Sequence, residues 1–275
     1  MRSSLRKSYT TMKMSAFKAC LALLLGSMIQ PCLAQNLKTG ESREYSNPER
    51  YEQAILNFEG ADKKQFPPPG AIVCIGSSSI VGWRPTIVED LAPLTVIPRG
   101  FGGSTMNDAL YYVGRIVIPY KPRAVVIYEG DNDIAEGIAP EKIQDTFRKF
   151  VQKVHEQLPE ARIYFLSIKP SIIRWNLWPH MEETNRLIEK DCSGDKLLTY
   201  VDVASAMFDG NRELRKDIFQ KDNLHMTREG YVIWREVIKP ILIRRELPFE
   251  PLKGRGATEE RSSGESDKTG TGESK

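Results

Sequence analysis

VCIGSSSI, residues 73–80, is the stretch from which the chain is best read. Val73, Cys74 and Ile75 continue an apolar run that begins at Ala71. The run stops at Gly76, and three hydroxyls follow, on Ser77, Ser78 and Ser79. A short continuous apolar run of this kind is what a strand covered on both faces looks like. Four more such runs lie downstream, at 94–98 (LTVIP), 124–130 (AVVIYEG), 161–168 (ARIYFLSI) and 197–203 (LLTYVDV). Helical patterns separate them. Residues 140–158 place Ile143, Phe147, Phe150, Val151, Val154 and Leu158 on one face, with Pro140 opening the first turn. Residues 181–191 and 227–243 look similar, and 47–58 predicts an extra helix before the first strand. Strand and helix alternate five times, so the expected fold class is α/β. It is a three-layer α/β/α sandwich around a five-stranded parallel sheet, with right-handed crossovers. Ligands in such sheets gather at the carboxyl ends of strands, and the serine triplet stands at one.

The two ends of the chain read differently from its body. Residues 1–34 carry Arg2, Arg6, Lys7, Lys13 and Lys18, no acid, and the apolar run CLALLLGSMI before PCLAQ. This predicts an export signal cleaved near Ala34, with Met1, Met12 or Met14 as the start. Its apolar run falls short of the roughly 20 residues a bilayer span needs, so no stable span is expected in the mature chain. Setting the leader aside lowers the net charge from +3 to −2. A near-neutral body has no basic face for nucleic acid, and no such partner is expected. Residues 35–248 are expected to form one domain, with its core at about 50–247. The polar tail, 249–275, has too little apolar material to offset the entropy of ordering. Cys74 and Cys192 remain after cleavage. One pair is no disulfide framework, and Cys74 in the apolar run reads as a buried thiol.

Three hydroxyls at a strand end admit three readings. A phosphate cradle wants several glycines and a following Lys-Ser/Thr pair, and only Gly76 is present. A helix cap needs one hydroxyl and predicts nothing elsewhere. A nucleophile needs a base, usually histidine. Of the three histidines, His155 falls one step off the apolar stripe of 140–158 and reads as a surface residue. His180 lies in WNLWPHMEE, where the chain enters a helix, with no carboxylate just before it. His225 lies in KDNLHMTREGY, three residues after Asp222, which can reach back across one turn to fix the imidazole tautomer. That segment follows the last strand, at the same sheet edge as Ser78. Oxyanion donors are available at two more strand ends: Gly103 in RGFGGSTMND and the Asn132 side-chain amide in EGDNDI. The backbone N–H of Ser78 completes the set.

Ser78 after Gly76, then Gly103, then Asn132 in GDND, then Asp222 and His225 in DNLH follow the order and spacing of the SGNH, or GDSL-type, esterases and lipases. The resemblance covers residues 50–247. It extends to exported bacterial members that carry GSSS and SIKPS segments, the latter here at 167–171. It implies a flavodoxin-like topology, Ser78 as nucleophile, His225 as base, Asp222 as its orienting acid, and Ser78, Gly103 and Asn132 as the oxyanion hole. One departure is that Ser77 replaces the aspartate usual in the family's first block; Ser77 and Ser79, on either side of Ser78, leave the register of the nucleophile open. Ile80, where a Gly-x-Ser-x-Gly elbow would place its second glycine, argues against an α/β-hydrolase.

The expected function is therefore that of an exported serine esterase working through an acyl-enzyme, with no cofactor and no metal. With an ordinary imidazole pKa of about 6.5, activity should rise between about pH 6 and 7. The expected substrate is a small ester or acylated glycan with a short acyl group. Arg99, Trp175 and Trp178 are candidates to line the cleft, with core packing as their alternative. An acyltransferase with the same triad, a lysophospholipase, and a binding module on an inactive scaffold are the competing readings.

Overall fold

The computed structural model describes residues 42–250. The leader read at 1–34 and the chain from 251 onward lie outside the described residues. A 3-10 turn at Pro48–Tyr51 leads into α1 (Glu52–Lys64). There follow β1 (Ile72–Gly76), α2 (Ser78–Trp83), α3 (Ile87–Asp90), β2 (Val96–Gly100), α4 (Met106–Ile116), β3 (Ala124–Tyr128) and α5 (Asp131–Glu136). The remainder is α6 (Pro140–His155), β4 (Arg162–Leu166), α7 (Trp178–Ser193), β5 (Leu198–Val201) and α8 (Arg228–Glu246). The five strands are all parallel, in the order β2-β1-β3-β4-β5. The three-layer α/β sandwich is thus as expected.

Alternation along each strand divides the core into two. Val73, Ile75, Val125, Ile127, Ile163 and Phe165 face one way, against α1, α4, α6 and α7. Ile72, Cys74, Val126, Tyr128, Tyr164 and Leu166 face the other, against α2, α3 and α8. Each fully buried side chain of this size contributes about 1.5–3 kcal/mol, so β1 and β3, buried along their whole lengths, anchor the sheet. Cys74 and Cys192 are both free and buried, and burial pushes the Cys74 thiol up to about 12.

Three differences from the sequence reading have physical causes. The second strand runs Val96–Gly100 rather than 94–98, because pairing with β1 sets Ile72 against Val96 and Gly76 against Gly100. Arg99 can then sit in the sheet because Asp62 (2.6 Å) and the Tyr120 hydroxyl (2.8 Å) accept from its guanidinium. The glycine-rich segment 99–108, read as a loop, already contains the start of α4. Its signal was present: Thr105 and Asp108 form a capping box, with the Thr105 N–H donating to Asp108 Oδ2 at 2.9 Å. Finally, Phe249 and Glu250, read as tail, make ordered contacts: Glu250 accepts from the Thr95 N–H at 2.9 Å, and Arg162 lies 4.3 Å from the centre of the Phe249 ring.

The strand order has a consequence for the site. From β1 the chain winds outward to β2 and then returns past β1 to β3. In an open parallel sheet the crevice at such a reversal, outside the carboxyl ends of the two strands, is where ligands bind. Here those ends carry Ser78 and Asn132.

Candidate active site

The turn from β1 into α2 depends on Gly76. Its φ is 154°, and a Cβ there would come within 2.4 Å of the Tyr128 carbonyl oxygen. The Ser77 N–H donates to that carbonyl (3.3 Å), and the Phe101 N–H donates to the Gly76 carbonyl (2.9 Å). The turn is thereby held between β2 and β3. It also sorts the three serines. Ser77 is 2% exposed and Ser79 3% exposed, whereas Ser78, the first residue of α2, is only half-buried. Of the triplet, only Ser78 can offer its hydroxyl to a ligand. As an N-terminal residue of a helix, it also has a backbone N–H free of intrahelical partners.

The second strand end supplies Gly103. Its φ of 83° lies in the left-handed region, and a Cβ there would stand 3.0 Å from the Tyr51 hydroxyl. The φ favours glycine, and a larger residue would push the Tyr51 hydroxyl aside. The next residue, Ser104, is fully buried and donates its hydroxyl to Glu129 Oε1 at 2.6 Å. Burial, with Asp133 close by, pushes the Glu129 carboxyl well above its ordinary value. Its hydrogen bond to Ser104 fixes the loop that carries Gly103.

Asn132 is the second residue of α5. One amide N–H donates to the Ser104 carbonyl (2.9 Å), while Arg174 Nη1 donates to its Oδ1 (3.1 Å). The amide is thus oriented at both ends and tied to the Gly103 loop, with its second N–H remaining for a ligand.

In the last segment, Asp222 Oδ1 accepts from the backbone N–H groups of Leu224 and His225, both at 3.0 Å. Asn223 takes the left-handed conformation this turn needs, with φ 59°. His225 Nδ1 lies 2.6 Å from Asp222 Oδ2; in the neutral imidazole that pairing makes Nε2 the accepting nitrogen. That hydrogen bond, with the two N–H groups, draws the Asp222 carboxyl down to about 2. Contacts on both sides bring the segment to the Ser78 edge. The Tyr231 hydroxyl, one turn into α8, donates to the Ser79 carbonyl (3.0 Å), and the Ile173 N–H donates to the Asn223 carbonyl (3.1 Å). The Ser78 hydroxyl itself makes no hydrogen bond among the described residues.

The remaining candidates divide between packing and surface. Arg99 is buried, with donors given to Asp62, Tyr120 and the Pro98 carbonyl; it takes the packing alternative and fastens α1 to β2. Trp175 is exposed and stacks on Trp178 at 6.4 Å between ring centres, with Phe208 at 6.2 Å from Trp175. His155 is not a free surface residue: its Nε2 pairs with the Ala161 carbonyl at 2.9 Å. His180 is exposed in the first turn of α7. Sequence reasoning missed Tyr51, Ser104 and Arg174, whose roles come from contacts across 28 to 52 positions of chain. Among the described residues no group of three His, Cys, Asp or Glu is placed to hold a metal ion. No described helix is long and apolar enough to cross a membrane.

Comparison with known proteins bears on the family and the fold. The sequence model of the GDSL-like lipase/acylhydrolase family matches residues 70–233. Platelet-activating factor acetylhydrolase IB subunit alpha1 from Bos taurus is 25% identical over 165 residues, covering 59% of this chain and 68% of the relative; the Homo sapiens protein matches equally. Among solved structures, a GDSL-like lipase from Bacteroides thetaiotaomicron superposes with a TM-score of 0.57 at 24% identity, over 73% of this chain and 99% of that one. An acetylxylan esterase from Geobacillus stearothermophilus does so at 0.51 and 15%, over 65% and 94%. With the matched segment spanning all five strands and every site loop, the chain belongs to the GDSL-like lipase/acylhydrolase family and is a hydrolase of ester bonds.

Proposed function

We propose that the protein cleaves short-chain carboxylic esters through a covalent intermediate on Ser78. His225 takes the Ser78 proton as the hydroxyl attacks the ester carbonyl. The C–O bond to the alcohol then breaks, and His225 returns the proton to the leaving oxygen. Water, deprotonated by His225, attacks the acyl-enzyme and releases the acid. Asp222 holds the imidazole and stabilises its cation. The backbone N–H groups of Ser78 and Gly103 and the Asn132 amide receive the oxyanion. The observation that carries this reading is the sorting of the serines: the one hydroxyl not buried lies on the sheet edge that also holds an Asp-His pair and a doubly anchored amide.

The reading of substrate size rests on a cavity that meets Ser78 only through its neighbour Gly102. A cavity of about 290 Å³ lies between α1 and α2, lined by Tyr51, Phe58, Val81, Arg84, Phe101 and Gly102 among others. A Cβ on Gly102 would touch that of Ser78 at 3.9 Å. A space near the lower end of ligand pockets, about 300 Å³, suits an acetyl or similarly small group better than a long chain. The named activities of the relatives, acetylhydrolase and acetylxylan esterase, point the same way. The exposed Trp175 ring, beside the Arg174 that holds Asn132, offers a flat face for a sugar or other planar alcohol. Export with cleavage near Ala34 is part of the proposal and rests on the sequence of residues 1–34; N-terminal sequencing of the mature protein tests it.

The experiment is a p-nitrophenyl ester series from acetate to decanoate, run on the wild type, Ser78→Ala and Ser77→Ala. Acetate or butyrate should be the best substrate, Ser78→Ala should lose at least about 10³-fold in kcat, and Ser77→Ala should keep most of its rate. Equal loss in both variants, or a preference for decanoate, would contradict the proposal.

A further inference from the structure

Lys169, the centre of the SIKPS segment, is 1% exposed and plays no part in the chemistry described above. The backbone before it is rigidly held: the Asn185 amide accepts from the Ile168 N–H (2.7 Å) and donates to the Ile168 carbonyl (2.9 Å). From that fixed point the lysine reaches across the end of the sheet. Its Nζ donates to the Leu224 carbonyl (3.0 Å) and to Asp131 Oδ2 (3.4 Å). Leu224 immediately precedes His225, and Asp131 immediately precedes Asn132. Arg174 also pairs with Asp131 while donating to Asn132.

One buried cation therefore touches the neighbour of the base and the neighbour of the oxyanion amide. Taking an ammonium and a carboxylate out of water costs several kcal/mol per ion, and apolar side chains of the same volume often serve stability as well or better. Stability alone is a poor reason for the pair. We infer that Lys169 is a positioning residue for ester hydrolysis: through Leu224 and Asp131 it fixes the separation and orientation of His225 and Asn132, without touching substrate. The inference rests on the roles proposed above for those two residues. The charged groups facing Lys169 are Asp131, Arg174 and, more distantly, Asp222. Removing its charge while leaving Asp131 and Asp222 in place favours the protonated base. Removing the Asp131 charge does the reverse.

The test compares Lys169→Gln, Lys169→Arg and Asp131→Asn with the wild type on p-nitrophenyl acetate across pH 5 to 9. Active sites are counted by phosphonate labelling of Ser78, so that only folded enzyme is scored. In Lys169→Gln, kcat per labelled site should fall about tenfold or more, with KM within about threefold, as expected for a sub-ångström misplacement. Its acid limb should move to higher pH, that of Asp131→Asn should move to lower pH, and Lys169→Arg should restore the wild-type limb. Limbs that coincide with the wild type, or lowered melting temperatures with unchanged turnover per site, would overturn the inference. So would failure of all three variants to fold, which would make the pair a requirement of the fold. Failure of the underlying reading looks different: the wild type would then not label at Ser78, or His225→Ala would keep its rate.

Discussion

At the scale of single residues, the site consists of side chains whose freedom has been removed by their partners. Asn132 has one amide hydrogen on the Ser104 carbonyl and its oxygen on Arg174, so Asn132→Ala should lower kcat by about 10²- to 10³-fold while KM changes little. Steady-state kinetics on acetate esters checks this. Gly103→Ala should lose at least as much, because it combines a strained φ with a clash at Tyr51. Asp222 illustrates a pH argument with a definite sign. Its carboxyl is held down at about 2 in the fold, below the ordinary value of 3.8, so its contribution is complete above about pH 4 and is lost only as pH falls toward 2. Asp222→Asn should lower kcat by at least about 10²-fold at pH 8, since the carboxylate no longer selects the tautomer. Equal rates for the two proteins would remove Asp222 from the mechanism.

At the scale of elements, the loops are held in place by buried polar groups that belong to helix termini. Asp133 accepts from the Met106 N–H (2.9 Å) at the start of α4 and from the Gly130 N–H (3.0 Å) at the start of α5. Burial pushes its carboxyl up to about 7, above the 3.8 of an unfolded chain. Between about pH 4 and 7 the unfolded state gives up this proton first, so the group's stabilising contribution is full below pH 4 and declines as pH rises through 7. Thermal unfolding of Asp133→Asn should show a flatter pH dependence over that window than the wild type, by about 5 °C or more. A parallel pair of curves would contradict the assignment. Asp90, at the end of α3, accepts from Trp83 Nε1 (2.7 Å) and from Arg228 Nη1 (2.6 Å), joining α2 and α3 to the first turn of α8. Asp90→Ala strands the buried Trp83 indole N–H, while Arg228 can turn to solvent, and should cost about 1–3 kcal/mol. Chemical denaturation measures this loss.

The strands and long helices were legible because their signals are local: five apolar runs such as 71–75 and 161–168, and a helical stripe over 140–158. α4 was not read, because the same residues that cap it also form a glycine-rich turn. The candidate site was legible as far as residue type and order carry it: the Asp222–His225 pair expected from DNLH is formed, at 2.6 Å. The register of the serine triplet was not, since three adjacent hydroxyls differ only in which way the turn points them. Nor was the support around the site. Tyr51 against Gly103, Arg174 on Asn132 and Lys169 beneath Leu224 are pairings set by the fold, and no spacing announces them.

At the scale of the whole molecule, the topology brings together what the chain keeps apart. Ser78, Gly103, Asn132 and His225 span 147 positions yet belong to loops at one end of a single parallel sheet. The cavity that Gly102 lines is walled by α1, which precedes the first strand, and by α2, which follows it. Substrate size should therefore respond to the helix before the sheet: Phe58→Ala should shift the acyl optimum toward longer esters, which a chain-length series on that variant checks. Trp175→Ala should raise KM for acetylated sugars but leave KM for p-nitrophenyl acetate within about twofold, if the ring serves the alcohol side.

The most direct test of the central claim is to label the protein with a serine-directed phosphonate and map the adduct by mass spectrometry of peptides. We predict one adduct, on Ser78, formed at least about 10²-fold more slowly in His225→Ala. An adduct on Ser77 or Ser79, or labelling of Ser78 at the same rate without the imidazole, would contradict it.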